Sequence, residues 1–223
     1  MAGRAQTVEV YLESGRKRTF ASAIDWPGWC RSGPDEDAAL QALVDYGPRY
    51  ARVVRPRRLG FTVPKDVERL TVTQRITGDA STEFGVPGVI PKADRGRIRR
   101  AEAGRASRIL EACWAALDEA ANSVRGPLAK GPRGGGRTLA KILAHVEEAE
   151  GSYLKALGLP EDLVPEGKGR EAILEALEGM ADRDPVLKGP RGGARWPAGY
   201  FVRRAAWHVL DHAWEIEDRA GGG

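Results

Sequence analysis

Long apolar runs are missing from this chain, and so is a basic-then-apolar beginning. No stretch approaches the roughly 20 apolar residues of a membrane-spanning helix, and the opening MAGRAQTVEVYL lacks the pattern of a signal peptide. Cysteine is also scarce, because the chain has only two, Cys30 and Cys113. Their wide separation favours free thiols in a reducing compartment over a disulfide. We therefore expect a cytoplasmic protein without a membrane partner.

Motifs for nucleotides and nucleic acids are missing as well. The chain has no GxxxxGK[ST] loop, no zinc finger and no aromatic-rich RNA-binding motif. Its net charge is +4, and five of its arginines form one dense cluster: Arg49, Arg52, Arg55, Arg57 and Arg58. A basic cluster can bind nucleic acid, but a solvated helix end beside a linker is the simpler interpretation. We therefore do not expect a nucleic-acid partner.

The first part of the chain, residues 1–77, has the pattern of a small α+β unit. Three stretches alternate apolar and polar residues and predict strands: TVEVYLE, RTFASAI and RLTVTQRIT. Between the second and third lies DEDAALQALVDYGPRYARVV, whose acidic opening at Asp35 and apolar spacing predict a helix. The predicted order is β-β-α-β. Residues 78–94 are rich in glycine and proline and predict a linker or an extended arm.

From residue 95 the apolar pattern becomes helical, and residues 95–220 predict an all-α four-helix bundle. Glycine- and proline-rich breakers separate the four predicted helices. Their expected ranges are 95–124, 137–157, 168–182 and 196–220.

Histidine is rare here, and all three histidines fall in two of the predicted helices. His208 and His212 are separated by a rotation of about 40° and a rise of about 6 Å, so they share one helix face. His145 lies eight residues after Arg137, and His212 lies seven residues before Arg219. In antiparallel helices these depths match, at about 12 Å and about 10.5 Å from the facing ends. Because imidazole is the commonest protein donor to zinc and similar metals, the spacing predicts one metal site.

Three histidine ligands leave a zinc-like ion with an open position for water or substrate, which is typical of catalytic sites. The segment HVLDH departs from HExxH, so the general base of the metalloproteases is missing. Glu215 is a candidate catalytic residue near the histidine face, where it can orient a ligand or move a proton. Two alternatives stay open: Glu215 belongs to a polar face, or two of the histidines are core residues and the third is incidental.

A near-repeat precedes each histidine-bearing helix, as KGPRGGGR at 130–137 and KGPRGGAR at 188–195. Glycine-rich basic loops that lead into helix N-termini can hold anions. The antiparallel arrangement places only the first loop at the metal end. There Lys130, Arg133 and Arg137 become candidate cofactor-binding residues for an anionic ligand. Alternatively, both loops are plain connectors.

The histidine on the second predicted helix, the HxxxH on the fourth and the long connection between helices two and three resemble the DinB/YfiT-like family of metal-binding bundles. The resemblance covers residues 95–220. It implies an up-down-down-up bundle, a homodimer, and a zinc, nickel or iron ion held by His145, His208 and His212. Some members are thiol transferases that use a low-molecular-weight thiol such as mycothiol or bacillithiol.

The first part of the chain is similar to HicB-like antitoxin domains, through the segment VEVYLESGRKRTFASAIDWPGWCRSGPDEDAALQAL.

Two functions of the whole protein follow as hypotheses. In the first, the protein is a metal-dependent transferase or hydrolase that takes a small-molecule thiol and an electrophile. In the second, it is a non-catalytic regulatory or stress-response protein, with a HicB-like binding module and a metal-stabilised bundle.

Overall fold

A computed structural model describes residues 7–130, 136–164 and 167–220. The chain divides into two compact units, Met1–Arg95 and Gly96–Gly223. The first unit carries a mixed β-sheet with helices and the second is helical. The predicted succession of an α+β part and a helical part is therefore confirmed. Within the described ranges, no helix combines the length and the apolar character that crossing a bilayer requires.

The sheet of the first unit is built from four described strands, β1 (Val8–Ser14), β2 (Thr19–Ala23), β3 (Cys30–Gly33) and β4 (Leu70–Thr77). Their spatial order is β3-β2-β1-β4. Antiparallel pairing joins β1 to β2 and β2 to β3, whereas β4 runs parallel to β1. A parallel neighbour requires a crossover connection, which accounts for the helical segment between β3 and β4. The central strands β1 and β2 carry most of the buried side chains of the sheet.

The expected order β-β-α-β differs from the structure because a third strand precedes the helices. The segment CRSG of β3 has no apolar alternation, and it is a strand because it pairs with β2 from Ser22↔Cys30 to Thr19↔Gly33. Pairing with a neighbour is a property of the folded sheet, so a local pattern does not reveal so short an edge strand.

The single helix expected after this strand is split into α1 (Glu36–Asp45) and α2 (Gly47–Val54). Pro48 stands at the start of α2, where its missing amide hydrogen is tolerated, and it does not fit the interior of one long helix. Asp35 begins α1 as predicted, because its carboxylate accepts a hydrogen bond of 2.8 Å from the Ala38 amide.

The segment 78–94, expected to be a linker or an extended arm, belongs to the first unit and is bonded to its sheet. It contains the short helix α3 (Ala80–Phe84). The fully buried Glu13 of β1 accepts hydrogen bonds from the Thr82 hydroxyl at 2.6 Å and from the Gly88 and Val89 amides at 2.9 and 3.1 Å. Burial raises the pKa of Glu13, and these three donors compensate for part of that cost. One buried carboxylate thus holds the glycine- and proline-rich segment in place.

The second unit contains four α-helices in the part that the structure describes: α4 (Arg100–Ser123), α5 (Leu139–Leu157), α6 (Gly169–Met180) and α7 (Ala198–Ala220). All four were predicted, and their ends differ from the expected ones by a few residues. The first helix begins latest relative to expectation, since 96–99 precede it in a non-helical conformation. The side chain of Thr138 caps α5 by accepting a hydrogen bond from an amide of its first turn.

Contacts at their ends fix the directions of these helices. At one end of α5 the Arg219 guanidinium of α7 donates to the main-chain carbonyl of Arg137, and towards the other end Tyr153 packs on Trp196. These contacts make α5 and α7 antiparallel. Likewise α4 and α6 are antiparallel, because Arg170 pairs with Asp118 near one end and Arg100 contacts Asp182 at the other. Of these helices α7 is the most buried, and it packs against both α4 and α5.

Candidate metal centre

The facing sides of α5 and α7 bring the three histidines together, as their spacing predicts. His208 and His212 lie one turn apart on α7, and antiparallel packing puts His145 of α5 at the same level. The ring centroid of His145 is 5.1 Å from that of His208 and 5.0 Å from that of His212. One nitrogen from each ring lies within 4.8 Å of the other two, which is close enough for one metal ion.

The distance between His145 and His208 is the one that a metal requires. Their Nε2 atoms are 3.3 Å apart. Two nitrogens bound to the same tetrahedral zinc at about 2.0–2.1 Å would lie about 3.3 Å from each other. The pair therefore already has the spacing of two ligands of one tetrahedral ion, and a nitrogen of His212 lies within 4.8 Å of a nitrogen of each.

Burial favours the neutral form of His145 and His208, which is the form that a metal ligand needs. His208 and His212 are only 7% and 8% exposed, and His145 is partly buried. Burial first, and then the neighbouring charges of His212 and Arg204, lowers the pKa of His208 to about 2. Burial and the nearby Arg137 guanidinium also lower the pKa of His145. At neutral pH both rings offer a lone pair.

The polar atoms of the His208 ring have few partners in the protein. Its Nδ1 is buried and has no hydrogen-bond partner among the described residues. In the same part of the chain, its Nε2 faces the Nε2 of His145. Two neutral imidazoles facing each other inside a helical core contribute little to packing that apolar side chains would not provide better. A bound ion would give the facing Nε2 atoms of His145 and His208 a common partner, so the residues present fit a divalent metal.

Glu215 lies behind His212 and fixes its orientation. Its Oε2 accepts a hydrogen bond of 2.9 Å from His212 Nδ1, and its Oε1 accepts one of 2.7 Å from Arg219. These hydrogen bonds, that from His212 first, hold the pKa of Glu215 below its usual range. Because an ionised carboxylate only accepts, Nδ1 of His212 is the donor of this bond, and its Nε2 is the nitrogen left for a metal. Carboxylate–histidine pairs of this kind commonly orient metal ligands.

Arg219 is the residue of this centre that the sequence interpretation missed. Besides Glu215, its guanidinium donates to the carbonyl of Ala129 at 2.9 Å and to that of Arg137 at 2.7 Å. The only local signal was its position four residues after Glu215, an i,i+4 pair of opposite charge. Its bonds to two carbonyls from another part of the chain have no signature in the sequence.

The candidate cofactor-binding residues are placed only in part. Lys130 and Arg137 are exposed, and the effect of Arg137 on His145 puts its guanidinium near the centre. Arg133 lies outside the described residues. The second near-repeat lies at the opposite end of α5, as expected, because the Trp196 amide that follows it donates to the Ala156 carbonyl. Anion binding by the first loop stays a prediction.

Arg204 adds a positive charge one turn before His208. Its Cζ lies 5.5 Å from the ring centroid of Tyr153 and 4.8 Å from that of Trp207. The Tyr153 ring in turn packs edge-on against His208, with centroids 5.7 Å apart. Cation–π contacts hold the guanidinium beside the histidines. Arg137 and Arg204 therefore add positive charge beside the centre, next to the carboxylates of Glu148 and Glu215, and the two arginines favour an anionic ligand.

Metal-free protein is expected to lose stability as the pH falls below about 6.5, the pKa of histidine in an unfolded chain. Because the pKa of folded His208 is lowered to about 2, the unfolded chain binds a proton that the folded chain does not. The free energy of unfolding then falls by up to about 1.4 kcal/mol per pH unit. Urea denaturation in chelator at pH 7.5 and pH 5.0 measures this loss. His208→Gln should make this loss of unfolding free energy about 2 kcal/mol smaller. An unchanged loss would contradict the lowered pKa of His208.

Comparison of the whole chain with known protein families, curated proteins and solved structures finds no match. The geometry of the centre is therefore the evidence on which its function is argued.

Proposed function

We propose that His145, His208 and His212 hold one divalent ion, zinc, nickel or iron, and that the protein uses it to transfer a low-molecular-weight thiol to an electrophile. The observation that carries this proposal is the convergence of three histidine nitrogens within 4.8 Å. Three protein ligands do not complete the coordination of such an ion, so one position is open to a small molecule.

The charge of the centre favours a thiolate at that position. Histidine binds a metal as neutral imidazole, so ligands of this type do not offset the charge of a divalent ion. Arg137 lowers the pKa of His145 and of His208, Arg204 lowers that of His208, and both arginines add positive charge. A bound ion would supply a Lewis acid that stabilises a thiol as its thiolate at neutral pH. The same charge also favours hydroxide, which is why a hydrolase is the neighbouring possibility for this centre.

The roles of the chain's own residues follow from their contacts. Both oxygens of Glu215 are already bonded, one to His212 and one to Arg219. This favours an orienting role over proton transfer for Glu215. In the transfer itself, the thiolate sulfur forms a bond to the electrophilic carbon, and the leaving group departs with its bonding electron pair. The proton of the thiol passes to solvent on binding.

We also propose the helix arrangement that the DinB/YfiT-like resemblance implies, an up-down-down-up four-helix bundle for residues 95–220. Two observations support it: α5 is antiparallel to α7, and α4 is antiparallel to α6. A homodimer, and a HicB-like role for the first unit in binding a partner, belong to the same resemblance and are proposed on it alone.

A thiol-transfer assay tests the function. Protein loaded with zinc, nickel or iron(II) is mixed with mycothiol, bacillithiol or cysteine and with a fluorogenic chloro-alkyl electrophile, and conjugate formation is followed. We expect metal-dependent conjugation that His145→Ala abolishes and that Glu147→Ala leaves intact, since Glu147 is an exposed carboxylate on the same helix. Equal rates for wild type and His145→Ala would rule out catalysis at this centre. Metal binding without turnover for any thiol would favour the regulatory hypothesis.

A further inference from the structure

A single arginine joins the metal centre to the connection between α4 and α5. The guanidinium of Arg219 donates to Glu215, to the Ala129 carbonyl and to the Arg137 carbonyl. The Ala129 amide completes the contact by donating to the Arg219 carbonyl at 2.9 Å. We infer that Arg219 is a positioning residue that couples the fixation of the main chain at Ala129 and Arg137 to metal binding through Glu215 and His212. The inference rests on the proposed metal centre.

The contacts require the shape of arginine. Its planar guanidinium carries five N–H donors in a fixed fork and here serves three acceptors in three directions, with a side chain only 11% exposed. A lysine at this position has one nitrogen on a flexible stem, so it can replace some of these bonds and not their geometry. Arg219 is therefore more than the charge partner of an i,i+4 pair.

Gly136 supplies an independent observation. A Cβ atom at this position would lie 2.5 Å from Nη2 of Arg219, and the residue has φ +152. Both features favour glycine, because any other residue would be strained and would press on the guanidinium. The main chain next to Arg137 thus approaches Arg219 as closely as a glycine allows, which is expected if this approach is part of the site.

The two ends of this chain of contacts influence each other. His212 is oriented by Glu215, Glu215 is held by Arg219, and Arg219 is held by the carbonyls of Ala129 and Arg137. An ion that orders His212 therefore stabilises the bonds of Arg219 to the carbonyls of Ala129 and Arg137. By linkage, breaking these two bonds must lower the affinity for the ion by the same factor. The mobility of the Ala129 amide becomes a reporter of metal binding.

The experiment measures cobalt(II) and zinc affinity by competition with a chelator, the visible spectrum of the cobalt protein, and hydrogen exchange of a peptide that contains Ala129. Arg219→Met is expected to weaken metal binding by about 10–100-fold, the range for residues behind a metal ligand, to shift the cobalt spectrum and to speed exchange. Arg219→Lys should recover part of the affinity. Arg108→Met is the matched control and should change nothing, because this exposed arginine donates to the Gly104 carbonyl of its own helix.

Glu215→Ala separates coupling from simple support. It leaves the bonds between Arg219 and the two carbonyls in place, so the Ala129 peptide should stay protected but no longer respond to zinc. The inference is overturned if Arg219→Met, folded as judged by circular dichroism, binds cobalt as tightly and with the same spectrum as wild type. Wild-type protein that binds no metal overturns the proposed function, and the inference with it. Intact binding in wild type and in Arg219→Met refutes the inference alone.

Discussion

Zinc is expected to raise the melting temperature of the protein by roughly 8–16 °C when it is free at about a thousand times its dissociation constant. A ligand that binds only the folded state adds about 4 kcal/mol at that ratio, and one kcal/mol corresponds to about 2–4 °C for a chain of this size. The unfolded chain competes weakly, because His145 and His208 are 63 residues apart in sequence and must be brought together by folding. Differential scanning calorimetry with zinc, nickel and iron(II) measures the shift.

His208→Ala should abolish this shift. The loss of a residue behind a ligand costs about 10–100-fold in affinity, and the loss of a ligand itself should cost more. In metal-free protein the same variant should change the free energy of unfolding by much less than bound zinc contributes. The reason is that it removes a ring whose Nδ1 is buried without a partner among the described residues. Glu147→Ala controls for metal held by surface carboxylates and should keep the full shift. If no divalent ion raises the melting temperature of wild type, the metal centre is refuted.

The proximity of the three histidines could be predicted from the sequence because their geometry is local. The spacing of His208 and His212 fixes their common face on one helix, and the distances of His145 and His212 from the ends of their helices depend only on helix rise. One assumption, antiparallel packing, connects the two helices. Apolar periodicity makes such helices recognisable, so few unknowns remained.

The residues that support the ligands could not be found in the same way. Arg219 acts through the main-chain carbonyls of Ala129 and Arg137, and every residue has such a carbonyl. Glu13 similarly accepts hydrogen bonds from two amides and a hydroxyl of the segment 78–94. Bonds from a side chain to a distant main chain leave no periodic pattern. For this reason residues 78–94, whose composition is typical of a linker, were not expected to be hydrogen-bonded to the sheet.

The core of the first unit was hidden for a related reason, because its aromatic residues are spread along the chain. Trp29 is fully buried, stacks on Tyr50 with centroids 6.0 Å apart and meets Phe61 edge-on at 5.0 Å. Its indole Nε1 donates a hydrogen bond of 2.8 Å to the Leu43 carbonyl. Tyr50 is tied down as well, since its hydroxyl donates to the Pro27 carbonyl. The cluster joins the turn after β2, both helices and the chain that follows α2.

Trp29→Ala is therefore expected to lower the free energy of unfolding by about 3–5 kcal/mol, the usual cost of removing a large aromatic side chain from a core. Trp29→Phe keeps a ring in the cluster and leaves the Leu43 carbonyl without its indole donor, so about 1–3 kcal/mol should be lost. Phe84→Ala is the matched control: this ring is 87% exposed, and its removal should change stability by no more than about 0.5 kcal/mol. Guanidinium denaturation followed by circular dichroism measures all three. Equal effects of Trp29→Ala and Phe84→Ala would mean that the aromatic cluster does not stabilise this fold. A larger loss of unfolding free energy for Trp29→Ala is expected because the burial of an aromatic side chain, and not its presence alone, decides how much its removal destabilises the protein.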